Sequence, residues 1–339
     1  MIKQFKQDYI NLASANLGAL ALYATDDFFA AKERLLHDKE PVFIEDKYDD
    51  HGKWMDGWES RRKRTPGHDY CIVRLARPGF IYGVVIDTSH FVGNQPPEIS
   101  LDVCYCTGVP DEETEWTTLI GKIPIKENDV KACKVETDQL ISHVKLHIYP
   151  DGGVARLRVY GRPQSNWDEV SPNEIMDLAA ALNGGRAIAC SDEHFGVMNN
   201  IIFPGKGKNM GDGWETSRRR GPGHDWVIIA LGHAGHLKKV VVDTAHFKGN
   251  YPDTCSIQAI CLDDDSLGMD TDALIEESKN WPEILSEQKL EMDMEHNFGH
   301  QINDESGINN AVSHVRLNIY PDGGISRFRL YGTIAKCGE

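Results

Sequence analysis

The chain contains the same pattern twice, and this duplication constrains its fold more than any other feature of the sequence. Three blocks recur in the same order: 56–70 and 212–226, 87–94 and 243–250, and 142–161 and 313–332. The first two pairs are 156 residues apart and the third pair is 171 residues apart, so the second copy carries an insertion before block three. A period this long indicates two copies of a whole domain rather than a solenoid. We therefore predict two domains, residues 1–163 and residues 164–339.

Short runs in which apolar and polar residues alternate are typical of β-strands. Two such runs flank the sequence Pro-Asp-Gly-Gly at 150–153, which predicts a β-hairpin around this turn. Many short strands separated by Gly and Pro favour an all-β sandwich or jelly roll with little helix. The exceptions are a helix predicted over 171–183, which begins with a capping box, and a weaker helical segment at 272–290 that Pro282 interrupts.

The composition limits the partners of the chain. Its formal net charge of −16 repels phosphate backbones and anionic lipids, so neither nucleic acid nor membrane is expected as a partner. The N-terminal residues lack the apolar segment of a secretory signal, which favours a cytoplasmic protein. The eight cysteines lack the spacing of common zinc sites, so we expect reduced thiols, no metal site and no cofactor. Divalent-metal assistance and assembly into a homo-oligomer stay open.

Block one combines a carboxylate, several cations and a histidine in a loop rich in Gly and Pro. Its candidate functional residues are Glu59, Arg62 and His68 in the first copy and Glu215, Arg218 and His224 in the second. An arginine fork can hold a carboxylate through two parallel hydrogen bonds. Two structural interpretations compete with a functional one: Glu59 pairs with a neighbouring arginine, or Asp69 caps backbone amides in a turn.

Block two begins where a buried strand ends. Its candidates are Asp87, His90 and Asn94 in the first copy and Asp243, His246 and Asn250 in the second. A carboxylate at such a position can have a raised pKa and serve as an acid or a base. The alternative is that Asp87 and Asn94 tie the loop through bonds to the backbone. An Asp-x-x-His pair supplies two metal ligands, which do not make a site.

Block three places two arginines on one face of a strand in each copy, Arg156 with Arg158 and Arg327 with Arg329. Cations on an exposed strand commonly protect a sheet surface, and this is the first interpretation. The second is that they line a cleft that binds an anion.

Taken together, the three blocks resemble the allantoicase family. The motifs are Asp-Gly-Trp-Glu with Gly-His-Asp, then Asp-Thr-x-His-Phe-x-Gly-Asn, then Ser-His-Val-x-Leu-x-Ile-Tyr-Pro-Asp-Gly-Gly. The resemblance spans nearly the whole chain, from about residue 11 to residue 332, and includes the duplication. It implies two jelly-roll domains of the galactose-binding-like type. It also implies hydrolysis of allantoate, a small anionic ureide, to (S)-ureidoglycolate and urea in purine (allantoin) catabolism.

This reaction suits the candidate residues. The substrate carboxylate needs an arginine, Arg62 or Arg218, and the ureido groups need partners such as Asn94 or Asn250, with His68 or His224 nearby. Departure of urea needs a proton donor, and the attacking water needs a base. We expect Asp87 with His90, or Asp243 with His246, to fill these roles, supported by Glu59 or Glu215. Arg61 becomes Ser217 in the second copy and is a weaker candidate.

Two other functions compete with this hypothesis. A galactose-binding-like sandwich is often a ligand-binding module without catalysis, so a tandem binding module is the main alternative. A hydrolase of a different ureide or amidine would use the same pocket chemistry. The sequence leaves open whether one copy or both are active and whether the site lies within or between the copies.

Overall fold

One strand of 19 residues organises each half of the chain. In the computed structural model, which describes residues 1–262, 270–299, 301 and 311–338, this strand is Asp69–Asp87 in the first half and Asp225–Asp243 in the second. The halves form two compact units, Met1–Gln164 and Ser165–Glu339. No helix in the described part of the chain is long and apolar enough to cross a membrane.

The first unit is a β-sandwich in which the long strand belongs to both layers. Its strands are β1 (Ile10–Asn11), β2 (Leu20–Ala24), β3 (Tyr48–Asp49), β4 (Gly52–Lys53), β5 (Trp58–Glu59), β6 (Asp69–Asp87), β7 (Glu98–Cys104), β8 (Thr117–Pro124), β9 (Val130–Lys134), β10 (Ile141–Tyr149), β11 (Gly153–Val154) and β12 (Arg156–Pro163). The first part of β6 pairs with β2 and β10, and the second part pairs with β9 and β12. The main sheet has the order β1-β12-β6-β10-β7-β8. Helix α1 is Ile2–Asp8, and 3-10 turns are Ala15–Leu17 and Lys32–Leu36.

The second unit repeats this topology. Its strands are β13 (Met176–Asp177), β14 (Arg186–Cys190), β15 (Trp214–Glu215), β16 (Asp225–Asp243), β17 (Thr254–Ile260), β18 (Glu283–Lys289), β19 (Glu295–Phe298), β20 (Val312–Tyr320), β21 (Gly324–Ile325) and β22 (Arg327–Ile334). The sheet order is β13-β22-β16-β20-β17-β18, with β14 and β19 also on β16. Helix α2 is Thr271–Ser278, and 3-10 turns are Trp167–Glu169, Ala181–Asn183, Met198–Ile202 and Met210–Asp212. The predicted fold class, two tandem all-β sandwiches with little helix, is confirmed.

The β-strands form because their alternate side chains can be buried between the two layers. On β10, Val144, Leu146 and Ile148 are fully buried. Next to the sheet, Trp58 and Trp214 are also fully buried, and each indole donates to a loop carbonyl, of Asp26 at 2.9 Å and of Asp192 at 2.7 Å. The tryptophans therefore anchor the loops of block one to the core.

The hairpin predicted at 150–153 is wrong. Strands β10 and β12 pair with different parts of β6 and not with each other, so the segment crosses from one layer to the other. Gly152 has φ of 138°, and a Cβ there would lie 2.6 Å from the backbone of Pro96. A Cβ on Gly153 would lie 1.9 Å from the ring of Phe91. The two glycines therefore serve close packing under the block-two loop rather than a tight turn.

The helix predicted over 171–183 is also wrong. Met176–Asp177 instead forms β13 at the edge of the sheet, paired with β22, and a single 3-10 turn ends at the left-handed Gly184. Pairing with the sheet edge overrides the local capping signal. The segment 272–290 is helical in its first part, as α2, and becomes strand β18 beyond Pro282.

One pair of cysteines departs from the expected reduced state. Cys261 and Cys337 form a disulfide with Cα atoms 5.6 Å apart. The other six cysteines are free thiols. The sequence could not show this pair because 76 residues separate its members.

Candidate active site

The first unit carries a cleft of about 430 Å³ beside the end of β6. It is lined by Phe43, Lys53, Met55, His90, Val92, Asn94 and Asn128. Two of the predicted site residues, His90 and Asn94, therefore lie in one concave surface, which is the usual setting of a small-molecule site.

A short turn after β6 aims His90 at the cleft. The Asp87 carboxylate accepts a hydrogen bond from the Ser89 amide at 2.7 Å, and the His90 amide donates to Asn128 Oδ1 at 2.9 Å. These bonds hold His90 at φ of 70°, a left-handed conformation uncommon outside glycine. Its Nε2 lies 3.1 Å from the Pro41 carbonyl oxygen. Because a carbonyl only accepts, Nε2 is the donor in this contact, and in the neutral ring this tautomer leaves the lone pair on Nδ1.

Glu59 is buried behind the cleft and pairs with Asn94, which is half-buried in the cleft lining. Asn94 Nδ2 donates to Glu59 Oε1 at 2.8 Å, and Glu59 is 9% exposed. Burial raises the pKa of the Glu59 carboxyl above its ordinary value, although the bond from Asn94 acts against this. Because Glu59 accepts one hydrogen of the Asn94 side-chain amide, the orientation of the side-chain oxygen, Asn94 Oδ1, is fixed. The interpretation in which Glu59 pairs with an arginine is wrong.

A loop that is longer in the first copy forms one wall of the cleft. Residue 39 is equivalent to residue 205, and residue 56 is equivalent to residue 212. Sixteen residues, 40–55, lie between the two positions in the first copy, whereas six residues, 206–211, lie between them in the second. The longer loop contains the small β3–β4 hairpin and supplies Phe43, Lys53 and Met55 to the cleft. Lys53 Nζ lies 4.5 Å from the centroid of the Phe43 ring, which also stacks on His90 at 5.9 Å.

Both interpretations of the block-three arginines are wrong, because these side chains are structural ties, buried at Arg156, Arg158 and Arg327 and half-buried at Arg329. Arg156 is 1% exposed and donates to Asp56 Oδ2 at 2.7 Å, to the Asp56 carbonyl at 2.8 Å and to the Lys39 carbonyl at 2.9 Å. Burial is the largest influence on the pKa of Asp56 and acts to raise it, but the hydrogen bonds from Arg156 and the Val42 amide and the charge of Arg156 together lower that pKa below its ordinary value. Asp56 Oδ2 also accepts from the Val42 amide at 3.0 Å. Arg156 and Asp56 thus hold both ends of the long loop.

The second arginine of the strand has a similar role. Arg158 is buried and donates to the Asp38 carbonyl at 3.1 Å. In the second unit Arg327 donates to Asp212 Oδ2 at 3.0 Å and to the Gly205 carbonyl at 3.2 Å, and Arg329 donates to the Gly205 carbonyl at 2.9 Å. These arginines are therefore used by the fold in both units.

The second unit repeats the polar arrangement behind a shorter loop. Asn250 Nδ2 donates to Glu215 Oε1, and His246 at φ of 73° has Nε2 2.8 Å from the Gly207 carbonyl. Asp243 accepts from the Ala245 amide at 2.8 Å, as Asp87 does from Ser89. Burial raises the pKa of the Asp243 carboxyl. The predicted pairs are thus built alike in both copies.

The remaining predicted residues lie apart from the cleft lining. Arg62 and Arg218 are exposed in the block-one loops. His68 Nε2 lies 2.9 Å from His147 Nδ1, and His147 Nε2 lies 3.0 Å from Asp102 Oδ2. Burial, together with Lys63, lowers the pKa of His68.

The matching histidine and aspartate of block one have different partners. His224 Nε2 lies 3.2 Å from Asn318 Oδ1, so the second unit has an amide where the first has an imidazole. Asp69 forms an ion pair with Lys63 at 2.5 Å and accepts from Thr25 Oγ1 at 2.8 Å. Asp69 therefore ties the loop through side chains rather than by capping backbone amides.

Sequence reasoning missed five lining residues, Phe43, Lys53, Met55, Val92 and Asn128. Phe43 and Lys53 lie outside the three repeated blocks, where the copies cannot be aligned by identity. The difference in length between 40–55 and 206–211 was the available signal, because a loop enlarged in one copy is a common place for function.

Together these features define a tandem β-sandwich protein with a polar cleft that combines a buried acid, an oriented amide and an imidazole. The allantoicase repeat profile matches residues 10–164 and 176–335. The chain belongs to the allantoicase family.

Relatives and solved structures agree with this assignment. The chain is 54% identical to a protein of Photobacterium profundum named "Probable allantoicase", over 96% of this chain and 97% of that one. It is 54% identical to a "Probable allantoicase" of Pseudomonas fluorescens, over 97% and 98% of the two chains. The crystal structure of allantoicase from Saccharomyces cerevisiae matches with a TM-score of 0.79 and 32% identity, covering 97% of this chain and 96% of that chain.

Proposed function

We propose that this protein hydrolyses allantoate to (S)-ureidoglycolate and urea in purine breakdown. Relatives that share 54% identity over nearly their whole length carry the allantoicase name. The observation that carries the proposal is the cleft of the first unit, where loop 40–55 brings Lys53 beside His90 and the amide that Glu59 orients.

The cleft suits a small anion with two ureido groups. Its volume of about 430 Å³ lies in the range of small-molecule sites. Lys53 supplies the ammonium group among the lining residues and is the proposed partner of the substrate carboxylate. The carbonyl of Asn94 accepts from a ureido N–H, and Asn128 contributes a second amide to the cleft wall. Arg62, which the sequence suggested for the carboxylate, is the competing candidate because it is exposed in the neighbouring loop.

His90 is the proposed catalytic group. Its Nδ1 lone pair takes a proton from water while the water oxygen bonds to the central carbon of allantoate. The bond from that carbon to one ureido nitrogen breaks, and the imidazolium returns the proton to this nitrogen as urea leaves. One water is consumed and one urea is released, so atoms and charge balance without a covalent intermediate.

Asp87 and Glu59 act through their neighbours in this proposal. Asp87 holds the turn that carries His90, because its carboxylate accepts from the Ser89 amide. Glu59 orients Asn94, because it accepts one of the two amide hydrogens. Both are positioning residues, and their loss lowers turnover by misplacing the cleft groups. The same roles belong to Asp243 and Glu215 if the second unit is active.

We place the activity in the first unit. The loop 40–55 supplies the cation and the aromatic wall of the cleft, and the second copy is ten residues shorter at this place. His246 and Asn250 then serve mainly the shared loop architecture.

The test measures urea release from allantoate by the purified full chain, with and without chelator. We expect His90→Asn to lose a factor of about 10²–10⁴ in turnover, while the matched variant His246→Asn keeps near-full activity. Equal losses in both would place activity in both units. Binding of allantoate without release of urea would instead support the ligand-binding module.

We further propose that residues 1–163 and 164–339 are the two domains. We also propose that the protein acts in the cytoplasm on a small anionic ureide. Six free thiols favour a reducing compartment, and the disulfide between Cys261 and Cys337 is the observation against it. Cell fractionation with an antibody to the chain tests the location, and recovery in an exported fraction would refute it.

A further inference from the structure

Two thiols and an imidazole meet at the end of the first unit's sheet. Cys104 is the last residue of β7, Cys106 follows two residues later, and His143 lies opposite Cys104 on β10. One ligand atom of each residue lies within 4.8 Å of the others, and Cys106 Sγ lies 3.4 Å from His143 Nδ1. Cys104 and His143 are buried, whereas Cys106 is partly exposed, which leaves a path from solvent.

We propose that Cys104, Cys106 and His143 bind one Zn²⁺ ion. A tetrahedral zinc with bonds of about 2.3 Å to sulfur and about 2.0 Å to nitrogen places these atoms about 3.6 Å apart. The observed 3.4 Å between Cys106 Sγ and His143 Nδ1 already approaches this spacing. Thiolate and imidazole are ligands that favour zinc over magnesium or calcium. Water completes the fourth position on the exposed side.

The hydrogen bonds around His143 allow Nδ1 to become a ligand. The Ser142 hydroxyl lies 2.8 Å from His143 Nδ1 and 3.1 Å from the Cys106 carbonyl oxygen. The hydroxyl can therefore donate to the carbonyl and leave the Nδ1 lone pair for the metal. With Nδ1 bound to the metal, Nε2 carries the proton; this buried nitrogen has no hydrogen-bond partner among the described residues, so its N–H needs a water as acceptor.

The second unit has the same backbone scaffold without the thiols. The Leu262 amide donates to Ser313 Oγ at 2.9 Å, as the Cys106 amide donates to Ser142 Oγ at 2.9 Å. Ile260 and Leu262 occupy the positions of Cys104 and Cys106. The serine-histidine pair is thus common to both copies, and the two thiols are specific to the first.

The zinc site is separate from the cleft. His143 is the third residue of β10, which ends at Tyr149 beside the 150–153 segment, so six residues of strand, roughly 20 Å, separate the cluster from that end. The ion therefore joins β7 to β10 through three protein ligands and keeps water in its fourth position, and its removal leaves the chemistry of the cleft in place.

The experiment uses the metal-free full chain, with its Cys261–Cys337 disulfide intact, together with Zn²⁺, and Co²⁺ as a spectroscopic probe. We expect one equivalent of zinc to remain after desalting, a higher melting temperature in zinc, and a thiolate-to-cobalt charge-transfer band. Cys106→Ser should weaken binding at least tenfold and abolish both the band and the thermal shift. His314→Asn and Cys190→Ser serve as matched histidine and thiol controls and should bind as the wild type does.

Three outcomes would overturn the site. The first is a wild-type chain without the cobalt band, and the second is a band that persists in Cys106→Ser. The third is rapid formation of a Cys104–Cys106 disulfide in air that zinc does not slow, which would identify a redox pair instead. If Cys106→Ser fails to fold by circular dichroism, His143→Gln replaces it in the same measurements.

Discussion

The buried pair of Arg156 and Asp56 should control both the stability of the first unit and the affinity of its cleft. The change Arg156→Met removes the guanidinium and leaves the Asp56 carboxylate buried without its cation. Breaking a buried ion pair from one side costs about 3–5 kcal/mol. For a unit of this size that corresponds to a fall in melting temperature of roughly 10 °C.

The effect should reach the substrate through the loop 40–55. Arg156 donates to the Lys39 carbonyl and Asp56 accepts from the Val42 amide, so the pair fixes the start and the end of this loop. The loop carries Lys53 to the cleft. We therefore expect KM for allantoate to rise about tenfold, or about 1.4 kcal/mol, with a smaller change in kcat.

The matched variant is Arg327→Met, which breaks the equivalent pair with Asp212 in the second unit. Calorimetry should show a comparable loss of stability, and urea-release kinetics should show an unchanged KM. The reasoning is refuted if Arg156→Met costs less than about 1 kcal/mol, or if both variants raise KM equally.

Three further predictions concern pH and substrate affinity. Because burial raises the pKa of Glu59, the unfolded chain loses the Glu59 proton at a lower pH than the folded chain does. The free energy of unfolding therefore falls as pH rises from the pKa of the unfolded state to that of the folded state. Urea denaturation of Glu59→Gln should show a shallower fall over this pH range. Burial lowers the pKa of His314 to about 4. Between pH of about 6.5 and 4 the unfolded chain therefore binds a proton at this position while the folded chain does not, so the free energy of unfolding falls as pH is lowered. His314→Asn should recover up to about 3 kcal/mol of this free energy near pH 4. Lys53→Met should raise KM for allantoate more than Arg62→Lys does, and the reverse order would return the carboxylate to Arg62.

The sequence was sufficient to predict the architecture because the duplication and the period-2 patterns are local signals. It failed at 150–153, where the pairing of both flanking strands depends on which part of β6 each one meets. It failed at 171–183 because a two-residue edge strand has almost no sequence pattern of its own. Both failures concern contacts between residues far apart in the chain.

The candidate site was predictable in part for the same reason. Glu59, Asn94 and His90 could be proposed because they are repeated, but their grouping depends on how the block-one and block-two loops meet. Asp87 was proposed because of its position at the end of a buried strand. Its carboxylate does lie there, where it accepts a hydrogen bond from the amide of Ser89. Neither the repeat nor the alternation of apolar and polar residues could predict the cleft wall formed by Lys53 and Phe43, because this wall belongs to the first copy alone.

Residues that are the same in both copies therefore indicate what the fold requires. Residues that differ between the copies indicate where one copy can acquire a function of its own. The pairs Arg156–Asp56 and Arg327–Asp212 are the same because each loop needs a buried tie. The Glu–Asn pair and the left-handed histidine are also shared, so by themselves they build a loop and not yet a site. A functional cleft requires something added to this loop, and the ten extra residues of 40–55 are the addition that the first copy has. By the same argument the thiols at 104 and 106, placed on a scaffold that the second copy fills with Ile260 and Leu262, point to a property of the first unit that the shared fold does not require.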